Sequence, residues 1–497
     1  MADEIQIPPM DEHNRALREH VHPSAWENPA PQGRYNLVVI GAGTAGLVTA
    51  AIGAGLGAKV ALIERHLMGG DCLNFGCVPS KALLHSSRMA AIIRAAGGEA
   101  EADFSVVMER VRRLRSGISR HDSAARFRDL GVDVYFGDAR FADRETVEVG
   151  GKRLRFKKAV IATGARAVVP PIPGLAEAGC LTNETVFSLT ERPESLLVIG
   201  GGPIGCELAQ AFQRLGTQVT LVEKGARLLP REDLDASAVL LEVFRREGMR
   251  VLLNAEVSGV ENGNAARVRT GGTEQIVQAD AILAAAGRAP NVEGMNLEAA
   301  GVRYDTRAGV EVNDALQTSS PHIFAAGDVC SRYQFTHTAD FAARIVAQNV
   351  LFPFLPKKKF SSLVVPWCTY TEPEVAHVGA SEAELHASGA AFDTLVVPMD
   401  SVDRAILEDE TEGFAKVLVD AKGTILGATI VGAHAGELIS ELTLAMSSGL
   451  KIGAIGSTIH PYPTQAEILR KAADAFNRKK LTPERKAWLA WLFARMR

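Results

Sequence analysis

Cysteine is scarce in this chain, six in 497 residues. That excludes a disulfide-stapled secreted scaffold, which packs its cysteines into a short chain. An excess of one charge is missing as well. Lys and Arg total 54 and Asp and Glu 58, a net charge of −4, so no broad attraction to nucleic acid or to an anionic membrane is expected. Residues 1–34 lack the apolar core of a secretory signal; they are polar and contain Pro8, Pro9, Pro23, Pro29 and Pro31. Those prolines are expected to break any helix there, which leaves an extension, with the cytoplasm as the expected compartment. One stretch, Leu37–Ala58, carries no charge and is long enough to cross a bilayer. Its six glycines favour a buried strand, turn and helix instead.

Glycine is what the chain has in excess, 46 residues, roughly 9% against a usual ~7%. Hydrophobic residues at 47% and charged residues at 23% are ordinary for a globular protein. The length is a prior of about three domains.

Two glycine clusters share one grammar. Leu37–Ile40 reads as a buried strand, Gly41-Ala-Gly43-Thr-Ala-Gly46 as a turn opening an Ala-rich helix, and Lys59–Glu64 as a second strand. Much later, Leu196–Ile199, Gly200-Gly-Gly202-Pro-Ile-Gly205, the helix Cys206–Leu215 and the strand Gln218–Glu223 repeat it. In each, the first glycine permits the tight turn, the second lets the backbone approach a pyrophosphate, and the third lets helix pack on strand. The helix N-terminus offers free N–H groups and partial positive charge to phosphate. Glu64 and Glu223 end the second strands, where a carboxylate binds ribose hydroxyls. Two such units imply two dinucleotide-binding domains with parallel sheets. Glu223 favours a free 2′-hydroxyl, hence NAD, although Lys224 and Arg227 stand close enough to offset repulsion of a 2′-phosphate.

After Ser361 the pattern becomes α+β. Leu395–Pro398, Ala415–Val419 and Ile425–Val431 read as strands, and Glu437–Ser447 and Gln465–Asn477 as helices. The segment Pro483–Arg497 mixes Trp488, Trp491, Leu492 and Phe493 with basic residues. A docked helix is the expectation there, rather than one lying on a membrane.

Directly after the first unit stands Gly69-Gly-Asp-Cys72-Leu-Asn-Phe-Gly-Cys77-Val-Pro-Ser-Lys81. Residues five apart in a regular helix lie roughly 8–9 Å apart at Cα, and a disulfide wants ~4.4–6.8 Å. The pair closes only if the backbone is distorted, which Asn74 and Gly76 tolerate. Two reduced buried thiols are the alternative. Two thiolates alone make a poor structural zinc site, which needs four ligands.

These motifs, in this order, resemble the class I FAD-dependent pyridine nucleotide–disulfide oxidoreductases, from about Tyr35 to Asn477. The same likeness runs through Ile161-Ala-Thr163-Gly164-Ala165, Gly287-Arg288-x-Pro-Asn291, Ala325-Ala-Gly327-Asp328, Thr371-Glu-Pro-Glu-Val375 and Gly432-Ala-His-Ala-Gly-Glu437. The wording around the cysteines and at Asp403-Arg404-Ala405 is similar to the mercuric-reductase branch. The resemblance implies an α/β fold with two Rossmann-like domains, for FAD and NAD(P), plus an α+β dimerisation domain. Its boundaries here are an extension at 1–34, FAD-binding 35–182, NAD(P)-binding 183–299, a second FAD-binding or central part at 300–360, dimerisation 361–480, and a basic Trp-rich tail at 481–497.

It also implies roles. FAD lies on Gly41, Gly43, Gly46 and Glu64, with Thr163, Gly164, Gly327 and Asp328, the last holding the ribityl chain. NAD(P)H lies on Gly200, Gly202, Gly205 and Glu223 and passes hydride to flavin N5; Gly287 and Arg288 complete the cofactor-binding set. The flavin then reduces a Cys72–Cys77 disulfide. Cys77 faces the flavin as a thiolate and Cys72 exchanges with substrate. Lys81 and Glu207 form an ion pair near N5, where a cation stabilises the reduced flavin. A homodimer is implied, with Tyr462 and Glu467 reaching across to the partner's cysteines.

Two departures bear on the acceptor. Disulfide-reducing members carry a catalytic His near the C-terminal end, oriented by a Glu. Here the segment reads His460-Pro-Tyr462-Pro-Thr-Gln-Ala-Glu467, with Tyr462 at the catalytic position and His460 two residues earlier. A Tyr of pKa ~10 is a poor base at neutral pH beside a His near ~6.5. Mercuric reductases end in a cysteine pair that hands over Hg(II); the last cysteine here is Cys368. Cys180, Cys206, Cys330 and Cys368 read as core residues. The expectation is therefore an enzyme that passes electrons from NAD(P)H through FAD and Cys72–Cys77 to a small thiol-reactive or metal-ion acceptor. A lipoamide-dehydrogenase-like enzyme using His460, a transhydrogenase and an electron-transfer flavoprotein are the alternatives.

Overall fold

The computed structural model describes residues 5–98, 102–261 and 263–497. The chain divides into two compact units. One runs up to Lys224 and includes Asn254–Leu363; the other is Gly225–Leu253 with Val364–Arg497.

The first unit begins with a helix, α1 (Glu12–Val21), where the prolines were expected to prevent one. Pro9 and Pro23 bracket the helix rather than interrupt it. Asp11 caps it, accepting from the Asn14 amide at 2.8 Å. Leu17 and Val21 are fully buried. Beyond α1, Trp26 donates to the Val134 carbonyl (3.1 Å), and the Asn28 side chain both donates to and accepts from the Phe136 backbone. The extension is thus fastened along the sheet edge.

That sheet carries β1 (Arg34–Ile40), followed by α2 (Thr44–Gly55), β2 (Val60–Glu64), α3 (Gly70–Asn74), α4 (Cys77–Ala95), α5 (Phe104–Ser119) and β3 (Val132–Phe136). β3, β2, β1, Lys152–Ile161 and Ile323–Ala325 lie parallel in that order, in registers such as Val38 with Ala61 and with Ala159. β2 is buried at every position, as a strand covered on both faces must be. The uncharged run Leu37–Ala58 is this strand–turn–helix. Among the described residues no helix is long and apolar enough to cross a membrane. The second glycine turn lies in a parallel set, Gln218–Val222, Ser195–Ile199 and Ala281–Ala284.

The second unit is α+β, as expected. Its antiparallel sheet runs Pro366–Thr369, Glu374–Gly379, Ile425–Gly432, Phe414–Val419, Asp393–Pro398. Helices Ala435–Ser447 and Glu467–Lys479 pack apolar faces on it through Ile439, Leu442, Leu469 and Phe476. Gly225–Leu253 belongs to this unit through buried polar contacts. The Lys416 ammonium, almost fully buried, meets Asp235 at 2.6 Å, Glu382 at 3.2 Å and Asp233 at 3.5 Å. Trp367 Nε1 donates to Glu232 at 2.7 Å. The tail helix Pro483–Arg495 forms, but the expected docking is not seen: it buries none of its residues.

Candidate functional site

The two glycine turns are built alike. Gly41 (φ +99°) and Gly200 (φ +111°) sit where a Cβ would lie 2.3 Å and 2.6 Å from the carbonyl oxygens of Ala162 and Ala285. At Gly46 and Gly205 a Cβ would fall 1.8 Å and 1.9 Å from the Gly41 and Gly200 carbonyl oxygens. Gly43 and Gly202 differ. A Cβ on Gly43 meets nothing nearer than Gly70 Cα at 3.7 Å, and one on Gly202 meets nothing within 4 Å. Both therefore face open space at the N-terminus of a twelve-residue helix, where free amides and the helix dipole attract phosphate. Glu64 and Glu223 fold back on the same turns, accepting from the Ala42 amide at 2.7 Å and the Gly201 amide at 2.6 Å. Each carboxylate keeps lone pairs for a ribose hydroxyl. Burial pushes the Glu64 pKa up, while the Ala42 and His66 amides pull it down.

Gly327 (φ +81°) would place a Cβ 3.2 Å from Ala45 Cβ, so the Ala325–Asp328 segment meets the first turn of α2. Burial lifts the Asp328 carboxyl to about 6, with Arg288 opposing and Asp71 reinforcing. Arg288 lies 3.8 Å from Asp328 and 3.2 Å from Asp71; Gly287, at φ +143°, makes the turn before it. Thr163 Oγ1 donates to the Asn291 carbonyl at 2.7 Å, and Gly164 (φ +68°) turns the chain beside it. An open glycine at a helix N-terminus next to a buried carboxylate suits a group that is phosphate at one point and polyol at another. These residues fit FAD.

The cysteine pair sits where a helix breaks. α3 ends at Asn74; Phe75 and Gly76 leave helical geometry (Gly76 φ −125°, ψ −116°), and α4 starts at Cys77. The break brings the thiols within hydrogen-bonding reach, Cys72 donating to Cys77. Cys77 is the first residue of a nineteen-residue helix, and Thr336 Oγ1 lies 3.3 Å from its sulfur. The Cys72 proton, then the Thr336 hydroxyl and Lys81, bring the Cys77 thiol down to about 6. Cys72 is pushed up by the Cys77 thiolate and by burial. Cys77 is exposed and Cys72 half-buried. Lys81 Nζ meets Glu207 Oε2 at 2.8 Å, with the Glu207 side chain nearly buried. α4 is thus tied to the helix that follows the second glycine turn.

In the second unit, Tyr462 is exposed and its hydroxyl donates to Asp403 at 2.8 Å; the bond to Asp403 pushes its pKa up. His460 is held at both nitrogens, Nδ1 3.1 Å from the Thr458 carbonyl and Nε2 3.1 Å from Glu441. Glu467 pairs with Arg470 at 2.8 Å. The other cysteines carry no such surroundings: Cys206 is buried and donates to the Gly201 carbonyl, and burial pushes Cys330 up to about 12.

The first unit therefore gathers Cys72, Cys77, Lys81, Glu207 and both dinucleotide sets, while Tyr462, His460 and Glu467 belong to the second. Sequence reasoning missed Thr336, Asp71 and Arg115. Thr336 had one available signal, its place at the start of a helix just after Asp328.

A model of the pyridine nucleotide-disulphide oxidoreductase family matches residues 35–343, and one of that family's dimerisation domain matches 365–473. The chain is 37% identical over 456 residues to a mercuric reductase of Staphylococcus aureus, covering 90% of this chain and 83% of that one. It is 34% identical to a dihydrolipoyl dehydrogenase of Thermus scotoductus, covering 90% and 98%. Among solved structures it resembles the HOCl-induced flavoprotein disulfide reductase RclA of Escherichia coli, at TM-score 0.80 and 30% identity over 88% of this chain and 99% of that one. RclA is also solved as a Cu(II) complex. The chain belongs to the pyridine nucleotide-disulphide oxidoreductases, enzymes that use FAD and NAD(P)H, and it carries their dimerisation domain.

Proposed function

We propose that this enzyme uses NAD(P)H, NADH by preference, to reduce the Cys72–Cys77 pair and hands the electrons to a soft metal ion or other small thiol-reactive acceptor. FAD, when bound, supplies the two-electron link between nicotinamide and disulfide. Gly41–Gly46 and Asp328 hold it, Gly200–Gly205 and Glu223 hold the nicotinamide dinucleotide, and Lys81, fixed by Glu207, sets a cation beside the redox helix. Cys77 is kept as the thiolate and Cys72 as the thiol that meets the acceptor.

The observation that carries the choice of acceptor is that a Tyr, Tyr462, stands where disulfide-reducing members carry the catalytic His, while Glu467 is engaged by Arg470. Exchange with a bulky disulfide needs a base for the attacking thiol. Tyr462 stays a phenol on Asp403, His460 is engaged by Glu441 and Thr458, and Glu467 answers Arg470. A soft cation needs no such base, because binding to sulfur itself displaces the thiol proton. The one thiol proton, on Cys72, leaves to solvent, the S–S bond re-forms between the two sulfurs, and the two electrons they give up reduce one Hg(II) to Hg(0) or two Cu(II) to Cu(I). The mercuric reductases and the Cu(II) complex of RclA among similar proteins support this reading.

NADH oxidation measured with Cu(II), Hg(II) and lipoamide tests it. Cys72→Ser is expected to lower metal-dependent turnover by about 100-fold or more, and His460→Ala to change it less than about threefold. Fast lipoamide turnover that His460→Ala abolishes would establish the lipoamide-dehydrogenase reading instead.

A further inference from the structure

The residues ahead of the family domain reach the redox loop. Asn14, on α1, is fully buried, as are Asn74 and, nearly so, Arg115 on α5. Arg115 spans the two: Nη2 donates to Asn14 Oδ1 at 2.6 Å, and Nη1 donates to the Asn74 carbonyl at 2.8 Å. Asn14 is itself fixed, its Nδ2 donating to the carbonyls of Ile7 (3.0 Å) and Pro9 (2.8 Å). The Val21 carbonyl, at the end of α1, accepts from the Met68 amide (3.1 Å). The Met68 carbonyl accepts from Asn74 Nδ2 (3.1 Å).

The carbonyl that Arg115 holds is the last of α3. A carbonyl at a helix C-terminus has no acceptor role left inside the helix and is met by a cation or another donor. α3 stops there, and the stop is what separates the Cys72–Cys77 pair from a continuous helix, in which the two Cα atoms would stand roughly 8–9 Å apart, beyond disulfide range. Asn183 Nδ2 treats the next carbonyl, Phe75, in the same way from the other side (3.3 Å).

We propose that Asn14 and Arg115 are positioning residues for the redox cysteines, and that the N-terminal segment works as a brace on the helix break that lets Cys72 and Cys77 close. This rests on the pair being a working redox couple, as argued above. With the brace in place the thiols are held near each other, and the disulfide is favoured by their high effective concentration. Loosening it shifts the equilibrium disulfide + 2 glutathione ⇌ dithiol + glutathione disulfide to the right. In that exchange the Cys72–Cys77 bond takes two electrons and two protons, and one glutathione disulfide bond forms.

The test uses the full FAD-loaded chain equilibrated in glutathione buffers, with free thiols trapped by alkylation and counted by mass, a readout independent of turnover. Asn14→Ala is expected to move the equilibrium about tenfold toward the dithiol, about 30 mV for a two-electron couple. Arg115→Lys, which keeps one donor, is expected to fall between Asn14→Ala and wild type. Asn28→Ala releases the N-terminal segment from the Phe136 backbone, away from Asn14 and Arg115, and is expected to lower Tm while leaving the equilibrium at the wild-type value. The proposal is overturned if Asn14→Ala lowers Tm but leaves the equilibrium unchanged, or if Asn28→Ala moves it equally. A wrong assignment of acceptor would appear in the turnover assays and leave the trapping result as it stands.

Discussion

Two neighbouring thiols of one chain take opposite protonation states here because one donates a hydrogen bond to the other. Cys77 gains the Cys72 hydrogen bond, Thr336 and Lys81; Cys72 keeps its proton beside that thiolate, and burial holds it there. With its pKa lowered from about 8.5 to about 6, Cys77 is a thiolate at pH 7 and is protonated only as pH falls through 6. In the reduced protein its contribution to stability is complete above the free-thiol pKa and lost by the folded one. Thr336→Val removes a donor to the anion, so the long-wavelength thiolate–flavin absorbance should titrate about one pH unit higher; an unchanged midpoint would mean the hydroxyl does not serve the anion. The two cysteines, Lys81 and Glu207 were legible as local words in the sequence. Thr336, Arg115 and Asn14 were not, since each acts across more than 40 residues of chain; Thr336 alone had a local signal, its place at the start of a helix after Asp328, and it was not used.

At the scale of elements, the repeated strand–turn–helix was the most readable part of the chain, because its glycines are required by close contacts rather than by composition. Gly46 and Gly205 occupy matching places in two different sites, so matched substitutions should have different outcomes. Gly46→Ala forces a Cβ onto the Gly41 carbonyl and should yield protein that retains little FAD. Gly205→Ala should stay yellow and lose reduction by NADH. Flavin content after purification and the rate of bleaching by NADH distinguish the two; loss of FAD from both would contradict separate sites. Helix α1 was hidden by the prolines that frame it. The strands Pro366–Thr369 and Glu374–Gly379 were passed over because short segments holding Pro and Trp carry little period-two signal.

At the scale of the molecule, the division into two units was not legible: Gly225–Leu253 joins the C-terminal segment through buried charge rather than through any sequence boundary. Glu232 shows the consequence. Burial raises its carboxyl to about 7, with Asp233 adding to the effect and Trp367 opposing it. A group whose folded pKa is raised favours folding fully below its unfolded pKa and loses that contribution as pH rises through 7. Glu232→Gln keeps the acceptor for Trp367 and removes the titration. It should flatten the decline in stability between pH 5 and pH 8, a difference on the order of 3 kcal/mol at the alkaline end. Urea unfolding at the two pH values measures it, and parallel curves for wild type and variant would rule the mechanism out. The dimerisation domain at residues 365–473 supports a homodimer.

The central claim is that electrons from NADH reach Cys72–Cys77. Anaerobic titration of the purified yellow enzyme with NADH, followed by absorbance, tests it most directly. The account predicts uptake of two electrons with a long-wavelength thiolate–flavin band that Cys77→Ser abolishes. Simple bleaching of the flavin, with no such band and no difference in Cys77→Ser, would contradict it.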